Sequence, residues 1–128
     1  MSTPSGENAE RPAIHRQLKI KVGVTKRLLK EYHLYSKDAG EQQRKLDKMI
    51  AENAEGWEIR QAKRIFDESQ RMIKDTSVRL SKAVQELQTL VSTVKTKPEF
   101  SEDKELVEAE KELGEASAVV VQACPVST

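Results

Sequence analysis

Apolar residues recur along the first part of this chain at steps of three and four: Ile14, Leu18, Val22, Thr25, Leu28, Leu29, Tyr32, Tyr35, Ala39, Leu46, Met49 and Ile50. That spacing predicts one long helix from about residue 13 to about residue 52. Pro12 suits its first turn, where a missing N–H costs little. The apolar arc spans roughly half the circumference from Ile14 to Tyr32 and narrows to about 100° from Tyr35 to Ile50. A wide arc serves two neighbours and a narrow one serves one. The first half of this helix should therefore meet two other helices, and the second half only one.

Asn53 to Trp57 reads as a turn, because Asn53 and Gly56 tolerate backbone conformations that other residues resist. Trp57 is expected to pack across the hairpin end. A second helix follows over 57–94 with a seven-residue repeat: Ile59, Phe66, Ile73, Leu80, Leu87 and Val94, with Ala62, Ser69, Thr76, Ala83 and Leu90 between them. These are the a and d positions of an antiparallel coiled coil. Asp75, Thr76 and Ser77 are poor helix formers and predict a softened or bent middle.

Pro98 prevents simple continuation of the second helix. Ser101 is a plausible N-cap, and Glu102, Asp103 and Glu105 complement the positive end of a helix start. A third, shorter helix is expected over 102–123, with Leu106, Ala109, Leu113, Ala116 and Val120 as its seam. Residues 1–12, with Pro4 and Gly6, read as a disordered tail, and 124–128 as a frayed end behind Pro125. The fold class is all-α: an elongated antiparallel up-down-up three-helix bundle of coiled-coil character, with domain limits at about 13 and 123.

Composition agrees with narrow seams. Hydrophobic residues make up 37% and charged residues 34%, against roughly 45–50% and about 25% in ordinary globular domains. The net charge of +1 conceals an uneven distribution. Residues 11–37 hold eight Lys/Arg and one acid, whereas 99–115 hold eight Asp/Glu and two lysines. Cys124 is the only cysteine, which excludes an internal disulfide and suits a reducing compartment. The first ten residues lack a signal-peptide core, and no run approaches the ~20 apolar residues of a membrane span. The expectation is a soluble cytosolic protein.

Few residues offer chemistry. His15 and His33 are 18 residues apart, about 27 Å along a helix, so they cannot share a metal. Cys124 has no nearby histidine in sequence, and Gly23 stands alone rather than in a phosphate-binding loop. Glu108 and Glu112 read as a solvated flank, some of it facing the basic first helix, rather than an acid–base pair. No cofactor, metal or catalytic residue is expected. The basic face of helix one is the best functional clue: Arg16, Lys19, Lys26, Arg27 and Lys30 cluster around Gly23 and point away from the apolar stripe. It is either a solvated exterior or a site for an acidic partner. Gly23 costs about 1 kcal/mol relative to Ala in a helix interior; close approach by a partner backbone or a mild flex point would each account for it. Nucleic acid fits poorly, since aromatic residues are not interleaved with the charges.

The stretch Arg16-Gln-Leu-Lys-Ile-Lys-Val-Gly-Val-Thr-Lys-Arg-Leu-Leu-Lys-Glu31 resembles the opening helix of the tubulin-specific chaperone A (tubulin-binding cofactor A) family. The resemblance continues in Lys48-Met-Ile-Ala-Glu52, Trp57-Glu-Ile-Arg-Gln-Ala62 and Glu68-Ser-Gln-Arg-Met-Ile73, and covers about residues 13–120. Lys74 stands where members of that family can carry a proline. The resemblance implies a non-catalytic three-helix bundle that captures β-tubulin after the cytosolic chaperonin, on the route to the α/β-tubulin heterodimer. It also implies other tubulin-folding cofactors as partners and a place in the cytoplasm with the microtubule cytoskeleton. No nucleic acid or membrane partner is expected, and monomer and homodimer both stay open. The competing reading is a coiled-coil adaptor that offers Tyr35, Ala39, Leu46 and Met49 to another helical protein.

Overall fold

A computed structural model describes residues Ser5–Ala123 and contains three helices: α1 (Ser5–Ala51), α2 (Gly56–Lys95) and α3 (Lys104–Ala123). A short 3₁₀ turn, Pro98–Phe100, stands between α2 and α3, and the described residues include no strand. The described residues divide into two compact units, one holding α1 up to Leu29, α2 from Leu80 and α3, the other holding residues 30–79.

The first unit contains parts of all three helices, as the wide apolar arc of helix one requires. Its core joins Leu18 and Val22 of α1 to Leu87, Val91 and Val94 of α2, Phe100 of the turn, and Leu106 and Ala109 of α3. Side-chain pairs give the chain directions. Lys97 meets Glu10 and Lys21 meets Glu86, so α2 runs antiparallel to α1. His15 meets Asp103 and Lys26 meets Glu108, so α3 runs parallel to α1. Thr25 is fully buried, and its hydroxyl donates to the Lys21 carbonyl at 2.8 Å, which satisfies the polar atom inside the helix.

The second unit holds only α1 and α2 segments, and small residues close its seam. Ala39, Ser69, Thr76 and Ser77 are its buried residues. The Ser69 hydroxyl donates to an Asp38 carboxylate oxygen at 3.0 Å. Tyr35, Leu46 and Met49 are half-buried, so the seam positions offered to an adaptor are already partly covered. Helix α2 continues through Asp75, Thr76 and Ser77. The expected soft middle is not an interruption, because two of those residues fill the seam.

Four local expectations change. Helix α1 begins at Ser5 rather than near 13 and carries Pro12 inside it. Tertiary contacts hold this early segment: Glu10 pairs with Lys97 at 2.9 Å, and Arg11 donates to the Glu99 carbonyl and lies 5.7 Å over the Phe100 ring. Residues 1–4 of the expected tail, and the expected frayed end 124–128 with Cys124, lie outside the described residues. Second, α3 starts at Lys104, capped by Asp103 rather than Ser101, with the Glu105 N–H donating to Asp103 Oδ1 at 2.9 Å. Burial of Phe100 draws residues 98–100 into the 3₁₀ turn and leaves Ser101 ahead of the helix. Third, Trp57 is 63% exposed and does not cover the hairpin end. The turn instead rests on Asn53 at φ 54°, with Ala54 N–H donating to Met49 O and Asn53 N–H to Ile50 O, the pairing of a Schellman motif. Fourth, Glu112 is buried rather than solvated.

Candidate partner-binding face

In the first unit, the side of α1 that faces the core is occupied by Leu18, Val22 and Thr25. At about 100° per residue, Arg16, Ile20, Gly23 and Arg27 lie on the opposite side, and all four are exposed. Lys19 and Lys26 are exposed on the flank next to α3. Lys30 is exposed too, and belongs to the second unit. Five of the six expected residues therefore share one exposed surface of the first unit.

The charge on that surface is not wholly turned away from the other helices, as the sequence suggested. Lys26 Nζ donates to Glu108 at 2.7 Å, and Lys19 lies 3.9 Å from Glu105. The hydrogen bond and charge of Lys26 hold the Glu108 carboxyl below the usual carboxylate range, and Glu108 in turn raises the lysine. Lys21 turns the other way and donates to Glu86 of α2 at 2.7 Å, which depresses that carboxyl. Arg16 and Lys30 form no ion pair among the described residues. Helix α3 thus covers one flank of the basic face and leaves its crest to solvent.

Two residues of this region stand outside the expected site. Ile20 is 62% exposed beside Gly23, and its place in the row 16, 20, 23, 27 is the signal that could have marked it. Glu112 is 4% exposed, and its Oε2 has no hydrogen-bond partner. Burial, then the charge of Glu115, pushes its carboxyl above the usual range, against the opposing pull of Lys26.

Two grooves lined by described residues of the first unit carry no reactive pair. One of about 520 Å³ is lined by Lys21, Glu86 and Thr89 among others, and one of about 340 Å³ by Lys95, Glu110 and Gly114. Among the described residues, no group of three or more His, Cys, Asp or Glu is placed to hold a metal ion. No helix there is long and apolar enough to cross a membrane. His15 sits 2.5 Å from Asp103 and edge-on to Phe100, a packing role at the α3 start.

Fold and surface together define a small three-helix protein whose most distinctive feature is an exposed basic crest. The chain belongs to the tubulin binding cofactor A family, whose model matches residues 13–113. Over 90 residues it is 43% identical to tubulin-specific chaperone A of Homo sapiens, an alignment covering 70% of this chain and 83% of the relative. The crystal structure of tubulin folding cofactor A from Arabidopsis thaliana superposes with a TM-score of 0.76 at 29% identity, covering 83% of this chain and 97% of that one. The structure of human tubulin chaperone cofactor a does so with a TM-score of 0.71 at 36% identity, covering 81% and 98%.

Proposed function

We propose that this protein is a non-catalytic tubulin-folding cofactor that binds and holds β-tubulin folding intermediates after the cytosolic chaperonin, on the way to the α/β-tubulin heterodimer. The observation that carries the proposal is the family match over residues 13–113, which takes in α2, most of α1 and the first half of α3. The working surface is the exposed face of α1 around Gly23. Arg16, Lys19, Lys26 and Arg27 supply positive charge in the first unit and Lys30 in the second. Such charge steers an acidic client and raises its rate of encounter. The protein would work in the cytoplasm, alongside the microtubule cytoskeleton and other tubulin-folding cofactors.

Charge reversal tests the surface. Arg16→Glu with Arg27→Glu leaves the Lys19 and Lys26 contacts with α3 intact, so loss of binding would not follow from undocking that helix. Co-purification with β-tubulin at physiological salt should fall at least tenfold, with α-tubulin as the control. Undiminished co-purification would remove the basic face from the account.

A further inference from the structure

The crest of α1 has the spacing of a helix-docking seam. Arg16, Ile20, Gly23 and Arg27 follow one another at steps of four, three and four, which places them in one line on a helix that meets another helix. Ile20 puts an exposed apolar side chain on that line. Gly23 puts a gap in it, for nothing lies within 4 Å of where its Cβ would stand. An open gap beside an exposed isoleucine lets a second helix approach closely and fill the space with its own side chain.

The chain itself shows which chemistry this helix accepts. On one flank α1 already holds a helix, α3, through buried Leu106 and Ala109 and through Glu105 and Glu108 against Lys19 and Lys26. An apolar ridge bordered by acids is thus what α1 binds internally. The crest repeats that arrangement outward, with Ile20 as the apolar contact and Arg16 and Arg27 at its two ends.

We infer that the Arg16–Ile20–Gly23–Arg27 crest of α1 docks an acidic amphipathic helix of the client, crossing at Gly23. The inference rests on the tubulin-cofactor reading of the same face. Close packing at the crossing point does the selecting, and the arginines meet acids beside the client's apolar ridge. A side chain at position 23 should therefore block the client without disturbing the free protein.

The test measures capture of purified β-tubulin by the full chain in a native-gel shift. Gly23→Gln keeps every charge and replaces glycine with a better helix former, so the free chain should melt no lower than wild type. Capture should nonetheless weaken at least tenfold. Ile20→Gln should weaken it similarly, while Val107→Gln, which changes an equally exposed apolar residue on α3, should leave it within twofold. If Arg16→Glu with Arg27→Glu abolishes capture but Gly23→Gln and Ile20→Gln do not, the basic face stands and the docked helix is overturned. If none of these variants weakens capture, the basic-face reading fails and the inference falls with it. Loss on Gly23→Gln without loss on charge reversal would contradict an acidic occupant. A photo-crosslinking residue at position 20 should label a helical, Asp/Glu-rich segment of β-tubulin; labelling confined to a loop or a basic segment would overturn the proposal.

Discussion

Glu112 shows how one side chain can work against its own fold. Its carboxyl is buried, one oxygen lacks a partner, and burial raises its pKa above the ordinary range. The folded state therefore favours the neutral form. Its contribution is favourable below the unfolded-state value of about 4.3 and is lost as pH rises through the higher folded value. Glu112→Gln should then stabilise the protein at pH 7 by about 1 kcal/mol, or about 3 °C in melting temperature, and by almost nothing at pH 4. Thermal melts across that range check both statements. Glu108 has the opposite sign: Lys26 depresses its pKa, so its contribution is present above the ordinary carboxyl range and disappears as pH falls. From the sequence both belong to a solvated flank, some of it facing helix one, and their spacing of one helical turn does not say which does. What separates them is the contact each makes with α1, which local spacing does not encode.

At the scale of elements, helix ends are set by distant contacts and helix faces by local pattern. The unequal apolar arc of α1 foretold where the third helix would pack, because the width of a buried stripe counts neighbours directly. The cap of α3 was misplaced by two residues, from Ser101 to Asp103, because the burial of Phe100 decides it. Asp103→Ala should cost about 1 kcal/mol through loss of the cap, and Phe100→Ala about 3–5 kcal/mol through the cavity left between the three helices. Urea denaturation with an α3 probe would rank them; equal effects would contradict the assignment of Phe100 to the core. Gly23→Ala should raise stability by about 1 kcal/mol, since the structure leaves room for the methyl group. A glycine kept at such a site is better explained by what it admits than by what it supports.

At the scale of the whole molecule, the two units differ in what holds them. The first has a core of large aliphatic residues and Phe100; the buried residues of the second are Ala39, Ser69, Thr76 and Ser77. Apolar burial is the main stabilising term, so hydrogen exchange should be at least tenfold faster in the amides of 41–72 than in those of 84–94. Uniform protection would contradict this difference. The uneven charge and its partial neutralisation by helix three were legible in the sequence, but the particular pairs were not. Glu86 and residues 103–108 meet α1 only through the fold, so which lysines pair with α2 and α3 had to come from the structure. That pairing is why the proposed client surface centres on the exposed crest, where Arg16 and Arg27 flank Ile20 and Gly23.

The most direct test of the account is the affinity of the full chain for β-tubulin, measured beside the Arg16→Glu, Arg27→Glu double variant at physiological salt. The variant should lose at least tenfold in affinity with its helix content unchanged, and neither protein should bind α-tubulin. Equal affinity of wild type and variant for β-tubulin would contradict it.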